Sequence, residues 1–266
     1  MAHETRFADG ALMVRVEGEV ARLVLNRPGT RNALNEAIWT ALPEAVAAAA
    51  APKTVKVLTL EGSGGAFASG ADISEFERVW RDAASSSDYA AKILAATEAL
   101  EQVEKPLIAR ITGACVGAGL ALALACDLRY ATTAARFGAP PGKLGLVYSL
   151  TDTRRLVEAV GLSKTKEILF TGRLYTAEAA LAMGLVDGVY PAEDFEAAIA
   201  SLIGEVTQAS QWSVRATKAV TARIRGGQGV EDDASRALFA GAAAGEDFKE
   251  GRAAFLEKRP PRFTFR

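Results

Sequence analysis

A repeated pattern, in which a short apolar strand ends in a turn of small residues and a helix follows, constrains the fold most strongly. Residues 55–60 predict one such strand, which leads through a glycine-rich loop into residues 66–74. Residues 107–111 predict another, which leads into residues 113–121. Apolar strands that alternate with helices are typical of a layered α/β fold with parallel strands. The pattern therefore predicts an α/β core that carries two small-residue turns.

The rest of the chain fits one large core with an appendage. Residues 14–25 predict two strands that turn at Gly18, and Asn35 is placed to cap a helix over residues 36–50. A helix over residues 73–100 is expected to break at residues 83–87. The last third predicts helices only, at residues 193–209, 212–225, 231–243 and 247–256. We therefore expect an α/β core at 1–192 and a helical domain at 193–266.

Composition excludes several classes of protein. The single histidine, His3, lies in an N-terminal segment that we expect to be frayed. Catalysis by Ser-His-Asp or Cys-His groups therefore has no base, and zinc sites built on histidine are excluded. The 31 Lys and Arg residues against 32 Asp and Glu give a net charge of −1. That balance lacks the basic excess of nucleic-acid-binding proteins.

The cysteines and the apolar segments favour a protein of the cytoplasm. Cys115 and Cys126 stand among small apolar residues, which indicates buried, reduced thiols. No charged and then apolar segment begins the chain. The apolar stretch at residues 116–126, which predicts a helix, is shorter than the roughly 20 residues that a membrane helix needs.

The two small-residue turns carry the first indication of chemistry. A turn from a strand into a helix leaves backbone N–H groups unpaired at the positive end of the helix. Glycine and alanine let a ligand approach that backbone closely. Two such turns on adjacent parallel strands would aim two donors at one point, as in an oxyanion hole. The alternative is that the small residues only allow tight packing of helix on sheet.

Taken together, the motifs resemble those of the crotonase superfamily, the enoyl-CoA hydratase/isomerase family. Phe67-x-x-Gly70-Ala71-Asp72-Ile73 matches the first signature, and residues 113–119 match a Gly-x-x-x-Gly-Gly-Gly signature except at Ala118. Further matches extend the resemblance over nearly the whole chain; they are Leu25-Asn26-Arg27-Pro28, Asn32-Ala33-Leu34, Cys126-Asp127, Phe170-Thr171-Gly172-Arg173, Gly184-Leu185-Val186 and Ala254-Phe255-Leu256-Glu257-Lys258-Arg259. The resemblance implies a crotonase fold, a spiral of ββα units with C-terminal helices.

The resemblance also implies a binding site for an acyl-CoA thioester. The amides of Ala71 and Ala118 would form the oxyanion hole, with Ala118 standing where the family usually has glycine. The residues implied near CoA are Arg31, Ala33, Ala71, Asp72, Ile73, Ser74, Phe255 and Lys258. For Lys258 the alternative is a solvated surface charge. The resemblance implies no metal or redox cofactor, because CoA is part of the substrate, and it implies a homotrimer or a hexamer.

The sequence departs from the family at the two positions where its hydratases carry glutamates. The resemblance puts Ala121 at the first position and Pro141 at the second. Neither residue can move a proton, so the usual acid–base hydration has no obvious agent. Family isomerases keep the second glutamate and are disfavoured for the same reason.

Tyr148 and Asp152 are the remaining candidates. Residues 141–150 resemble the corresponding stretch of methylmalonyl-CoA decarboxylases, in which a tyrosine lies over the acyl group. A phenol has a reference pKa of about 10, so Tyr148 would donate a proton or orient a carboxylate rather than act as a base. Asp152 would serve as a base or cap the following helix, and Ser149 competes for that cap.

Three functions remain open from the sequence. The first is a lyase of decarboxylase-like or hydratase-like chemistry on a short or branched acyl-CoA. The second is an enoyl-CoA hydratase with relocated acid–base groups such as Asp152. The third is a non-catalytic homologue that binds acyl-CoA.

Overall fold

Runs of mostly apolar, buried residues form the central strands of the main sheet. In the computed structural model, which describes residues 3–265, every residue of Leu107–Ile111 is buried, as in a strand covered on both faces. The strands of the described chain are β1 (His3–Phe7), β2 (Leu12–Glu17), β3 (Val20–Leu25), β4 (Val57–Gly62), β5 (Leu107–Ile111), β6 (Ala114–Val116), β7 (Leu128–Thr132), β8 (Arg136–Gly138), β9 (Tyr175–Thr176) and β10 (Gly188–Tyr190).

The helices begin at capping residues that the sequence supplies. The Asn35 side chain accepts from the amide of Ile38, which fixes the start of the first long helix as predicted. The α-helices of the described chain are α1 (Glu36–Ala50), α2 (Phe76–Val79), α3 (Ala83–Gln102), α4 (Ala118–Leu124), α5 (Leu150–Thr171), α6 (Ala177–Ala182), α7 (Ala192–Gln208), α8 (Gln211–Arg225), α9 (Asp233–Ala244) and α10 (Glu246–Glu257).

Two sheets organise these elements. The larger has the order β1-β2-β3-β4-β5-β7-β10, and the smaller has the order β6-β8-β9. Pairing is parallel from β3 to β10, while β1, β2 and β3 pair antiparallel. In the middle of the chain, a strand of the large sheet is followed by a strand of the small sheet and then by a helix, as in β5-β6-α4 and β7-β8-α5. The predicted ββα repeat is therefore present.

Three local predictions were wrong. The break in the helix over residues 73–100 falls at residues 80–82, because the Asp82 side chain accepts from the Ser85 amide and the Ser85 hydroxyl accepts from the Asp82 amide. This capping box makes residues 83–87 the first turns of α3. The segment at His3 is not frayed, since His3–Phe7 pairs with β2. The helix predicted from residue 116 begins at Ala118, because residues 114–116 form β6.

The C-terminal helices divide into two groups by what they touch. Helix α7 packs on β4, β7 and β10 of the large sheet, whereas α9 packs on α8 and α10. Helix α8 also reaches the core, through the ion pairs of Lys218 with Asp127 and of Arg225 with Glu101. Phe195 and Ile199 are the buried residues of α7. The expected boundary between residues 192 and 193 falls one residue inside α7, and the division into two domains stays a prediction.

Large aromatic side chains fill the core between the sheets and helices. Trp39 on α1 is fully buried and its indole N–H donates to the hydroxyl of Tyr89 on α3 over 3.2 Å. Phe67 and Phe137 are also fully buried. Within residues 3–265, no helix combines the length and the apolar content that crossing a membrane would require.

Candidate active site

Two loops that follow neighbouring strands lie side by side at one end of the large sheet. Strands β4 and β5 pair in parallel, and residues 66–71 run beside residues 112–118. The amide of Ala68 donates to the carbonyl of Ala114 over 2.9 Å, and the amide of Val116 donates to the carbonyl of Ala68 over 3.0 Å. The two small-residue turns are therefore in direct contact.

Glycines make this close approach feasible. A Cβ atom on Gly119 would lie 2.4 Å from the carbonyl oxygen of Ala68, which excludes every side chain at that position. Gly117 has φ of 54° and ψ of −119°, a conformation that glycine adopts without strain. A Cβ atom on Gly117 would lie only 3.9 Å from the Cα atom of Gly70. The residues that precede Ala71 and Ala118 are thus packed against each other.

The amides of Ala71 and Ala118 have no acceptor anywhere in residues 3–265. Leu34 forms a parallel bridge with Ala71: its amide donates to the Gly70 carbonyl over 2.8 Å, and its carbonyl accepts from the Asp72 amide over 2.9 Å. Those bonds use the groups that flank Ala71, so its own N–H lies on the other side of the segment. Two unpaired donors on two touching loops can polarise one carbonyl oxygen.

Only one of these amides begins a helix. Ala118 is the first residue of α4, but Ala71 precedes a 3₁₀ turn at Ile73–Glu75 that Asp72 caps through the amide of Ser74. The expected pair of helix N-termini is therefore reduced to one, and the donor at Ala71 depends on loop geometry rather than on a helix dipole.

Neither position at which the resemblance puts a glutamate offers an acid–base group. Ala121 is buried within α4, with 2% of its surface exposed. Pro141 is half-buried and begins a 3₁₀ turn, Pro141–Lys143. The region around the unpaired amides is therefore more apolar than a two-glutamate site would be.

The hydroxyl of Tyr148 points at the second loop. It donates to the carbonyl oxygen of Gly117 over 2.8 Å, while the ring packs against the core. Burial, and then the nearby carboxylate of Asp152, raise the pKa of this phenol well above its ordinary value. The phenol therefore stays protonated at neutral pH, and its one proton is directed at the protein backbone. The sequence anticipated an orienting or donating tyrosine but not this acceptor.

Asp152 is not the helix cap. The Ser149 hydroxyl accepts from the Asp152 amide over 3.0 Å, which makes Ser149 the N-cap of α5, and it donates to the Asp152 carboxylate over 2.7 Å. The other carboxylate oxygen accepts from Arg155 over 3.0 Å. Each oxygen of this buried carboxylate accepts one of these bonds and keeps one lone pair. Its burial and its ion pair with Arg155 therefore disfavour a base role for Asp152.

Arg155 connects Asp152 to Glu101 at the end of α3. Burial of Glu101 opposes its ionisation, but hydrogen bonds and charges from Arg155, Arg154 and Arg225 outweigh that effect and lower the pKa of Glu101 to about 2. Sequence reasoning missed this network. The contact between Asp152 and Arg155 could be predicted from their spacing on one helix face. Glu101 lies 54 residues away from Arg155, and no sequence pattern predicts that contact.

Five of the residues implied near CoA form one continuous edge. The carbonyl of Arg31 accepts from the amide of Ser69 over 3.0 Å, which holds residues 31–34 alongside residues 69–72. Ala33, Asp72, Ile73 and Ser74 lie along the same edge, and the Ile73 side chain is 64% exposed.

An arginine that the sequence analysis left without a role ties this edge together. One guanidinium nitrogen of Arg27 donates to the Ala33 carbonyl over 2.5 Å and to the Asp72 carboxylate over 2.8 Å. The Ser74 hydroxyl and Arg27 together lower the pKa of Asp72. The charge on Asp72 is thus held by the protein and stiffens the turn beside Ala71.

Phe255 and Lys258 lie elsewhere. Phe255 is on α10 and is 84% exposed, and Lys258 ends that helix in a left-handed conformation with φ of 54°. Among the described residues, no hydrogen bond or ion pair joins either of them to residues 69–74. The two residues are therefore not brought to the edge by direct polar contact.

Comparisons with known proteins show the family to which the chain belongs. The sequence profile of the enoyl-CoA hydratase/isomerase family matches residues 15–266. The chain is 36% identical to 2,3-dehydroadipyl-CoA hydratase of Escherichia coli, over 96% of this chain and 99% of that protein. It is 32% identical to crotonyl-CoA hydratase of Syntrophomonas wolfei, over 95% of this chain and 97% of that protein.

A solved structure gives the same result for the fold. An enoyl-CoA hydratase/isomerase family protein from Hyphomonas neptunium superposes with a TM-score of 0.93 at 46% identity, over 96% of this chain and 98% of that one. The chain belongs to the enoyl-CoA hydratase/isomerase family, within the crotonase superfamily, and has the crotonase fold with C-terminal helices.

Proposed function

We propose that this chain is a lyase that binds an acyl-CoA thioester and stabilises the enolate formed from it through the amides of Ala71 and Ala118. The observation that supports the proposal is the pair of loops in contact, each with an amide that has no acceptor in residues 3–265. A thioester oxygen that receives both N–H groups would hold negative charge better than it does in water.

Decarboxylation is the reaction that best suits such a site. The bond between the α-carbon and a carboxylate breaks, carbon dioxide leaves, and the electron pair moves into the thioester to give an enolate. The oxyanion hole stabilises the enolate oxygen, and a proton from water then reaches the α-carbon. This reaction needs no strong base. That fits a chain with Ala121 and Pro141 at the positions of the two family glutamates, and with the Asp152 carboxylate bound to Arg155.

Hydration of an enoyl-CoA is the second candidate. It is favoured by the relatives whose printed names are hydratases, such as those of Escherichia coli and Syntrophomonas wolfei. Addition of water to the β-carbon needs a group that moves a proton within hydrogen-bond reach. In this chain Asp152 would have to receive a water molecule at its buried carboxylate, beside the bonds from Ser149 and Arg155.

One pair of assays separates the candidates. Release of carbon dioxide from methylmalonyl-CoA is measured beside hydration of crotonyl-CoA, with the purified full chain in both. We expect carbon dioxide release and slow hydration. Fast hydration without carbon dioxide release would instead establish a hydratase. Binding of both thioesters without turnover would point to an acyl-CoA-binding homologue that has lost the chemistry.

For the CoA portion, we propose that Arg31, Ala33 and the segment from Ala71 to Ser74 line the binding edge. Arg31, Ile73 and Ser74 are exposed, and Ala33, Ala71 and Asp72 are half-buried, which supports this. Phe255 and Lys258 are proposed to contact CoA as well. The lysine would contribute a positive charge toward the phosphates, and Lys258→Ala should weaken CoA binding while leaving the rate at saturating substrate unchanged.

A further inference from the structure

The hydrogen bond from Tyr148 to Gly117 acts on the peptide group that carries one of the two proposed oxyanion donors. The carbonyl of Gly117 and the N–H of Ala118 belong to the same planar peptide unit. A trans peptide points these two groups in opposite directions. Whatever binds the oxygen therefore also sets the direction of the N–H.

We propose that Tyr148 is a positioning residue: its hydroxyl, 2.8 Å from the Gly117 carbonyl oxygen, orients and polarises the 117–118 peptide so that the Ala118 N–H is a stronger donor to the thioester oxygen. This inference rests on the oxyanion hole of the proposed function. It assigns the phenol to the protein backbone rather than to the substrate.

The backbone at Gly117 needs such a restraint. Its φ of 54° and ψ of −119° belong to a region where glycine is free and other residues are not, so no side chain at position 117 holds the peptide. On the other side, the Gly117 amide donates to the Gly138 carbonyl over 2.8 Å. The residue is thus fixed at its N–H by β8 and at its carbonyl by Tyr148.

The Gly117 carbonyl has a second hydrogen-bond partner, which limits how much the loss of the Tyr148 hydroxyl can weaken the Ala118 donor. The amide of Ala121 donates to the same oxygen over 3.1 Å, as the first bond of α4. A carbonyl oxygen has two lone pairs and accepts both bonds. Hydrogen bonds that share one peptide group strengthen each other. Loss of the phenol should therefore weaken the Ala118 donor without releasing the peptide completely.

The structure around Tyr148 holds the phenol in place. Tyr148 directly precedes Ser149, the N-cap of α5, and the hydroxyl of Ser149 is bonded to Asp152. Asp152 is in turn fixed by Arg155, whose side chain is 1% exposed. The buried ion pair of Asp152 and Arg155 therefore fixes the start of α5, and with it the position of Tyr148.

The phenol also stays a donor over the whole neutral range. Burial raises its pKa well above the ordinary value for tyrosine. The hydrogen bond to Gly117 is therefore expected to be insensitive to pH between 6 and 9, roughly the range below the reference phenol pKa of about 10. A phenol that transferred its proton to substrate would instead contribute to the pH–rate profile.

The test reads the thioester carbonyl directly. Butyryl-CoA labelled with carbon-13 at the carbonyl is used, since it is a saturated thioester that can be neither hydrated nor decarboxylated. Its carbonyl stretch is recorded by infrared difference spectroscopy, free and bound to the full chain. We expect a shift to lower frequency on binding to the wild type and a smaller shift on binding to Tyr148→Phe.

Kinetics on the acyl-CoA that the wild type turns over should follow the spectrum. In Tyr148→Phe we expect kcat to fall about tenfold, less than the hundredfold or more that accompanies loss of a whole oxyanion donor, with little change in KM. Tyr175→Phe is the matched control, because its phenol donates to the Glu167 side chain over 3.1 Å and not to a backbone carbonyl of the loops. It should leave both the spectrum and kcat unchanged.

The outcomes separate this inference from the proposed function. If butyryl-CoA does not bind the wild type, or binds with no shift, the oxyanion hole is absent and both proposals fail. If the wild type shifts the stretch and Tyr148→Phe shifts it equally, the oxyanion hole stands and the role of Tyr148 is wrong. If Tyr148→Phe is slower but shifts the carbonyl stretch as much as the wild type does, the phenol acts on the substrate and not on the peptide. That result would also overturn the inference.

A second variant covers the case in which Tyr148→Phe does not fold. Incorporation of 3,5-difluorotyrosine at position 148 keeps the ring and the hydroxyl and makes the phenol a stronger hydrogen-bond donor. It should move the bound carbonyl stretch to a lower frequency than in the wild type. An unchanged or higher frequency would contradict the role of Tyr148.

Discussion

Ala118 contributes only a backbone amide to the proposed site, so its donor can be deleted by one substitution. It is the first residue of α4, a position at which proline is well tolerated because that N–H has no partner within the helix. Ala118→Pro removes the donor, and Ala118→Gly keeps it. We expect kcat/KM to fall at least about a hundredfold in the proline variant and to stay near wild type in the glycine variant.

The control for this comparison is a test that both variants are folded. Far-UV circular dichroism and the melting temperature should be similar in Ala118→Pro and Ala118→Gly. A folded proline variant with wild-type activity would show that the amide of Ala118 takes no part in the reaction.

Single residues also show where sequence reasoning succeeds and where it stops. The close contact of the two loops could be predicted from the glycines at 70, 117 and 119, because small residues at the end of a strand let another backbone approach. The partner of Tyr148 was not readable, since Gly117 lies 31 residues away and only the packed loops bring the two together. Ser149 rather than Asp152 caps the helix, while Arg155, three residues after Asp152, binds its carboxylate.

At the scale of elements, Glu101 links three helices through charge. It lies in the last turn of α3 and pairs with Arg155 on α5 and with Arg225 on α8. The side chain of Arg155 is 1% exposed, and the carboxylates of Glu101 and Asp152 are its partners. Because Asp152 still offsets part of the charge of Arg155, Glu101→Gln should cost about 3 kcal/mol of stability at neutral pH, the low end of the range for breaking a buried pair.

The pH dependence of that stability follows from the pKa of Glu101, which falls from 4.5 to about 2 on folding. A carboxylate with a lowered folded pKa contributes its stability fully above pH 4.5 and loses it as the pH falls toward 2. The melting temperature of the wild type should therefore fall more steeply over that window than that of Glu101→Gln. Glu44→Gln, at an exposed site on α1, is the control, and parallel curves for all three proteins would contradict this account.

Element boundaries were predicted well where caps and apolar runs decide them and poorly where tertiary pairing does. Asn35 and the run at 107–111 gave α1 and β5 correctly. The serines at 85–87 suggested a break, but the Asp82 capping box turned them into the start of α3. β6 was missed because three residues that pair only with a distant strand have no periodicity of their own.

At the scale of the whole molecule, the C-terminal helices leave apolar side chains uncovered. Phe239 is 81% exposed, Phe255 84% and Leu256 69%. Exposed apolar surface is typical of contacts with another protein chain, and with the family resemblance it leads us to propose a trimer or a hexamer. Light scattering should give a mass of three or six copies of the 27.9 kDa chain.

Phe239→Ser should weaken that assembly by exchanging apolar for polar surface. Thr221→Ser, on the neighbouring helix α8, is the matched surface control. A wild-type chain that stays monomeric at tens of micromolar would overturn the expectation of an oligomer.

The central claim is that the amides of Ala71 and Ala118 converge on one thioester oxygen. A crystal structure of the full chain with butyryl-CoA measures this most directly. We predict that the thioester oxygen lies about 2.7–3.1 Å from both amide nitrogens. A bound thioester whose oxygen contacts only one of these nitrogens, or neither, would contradict the account.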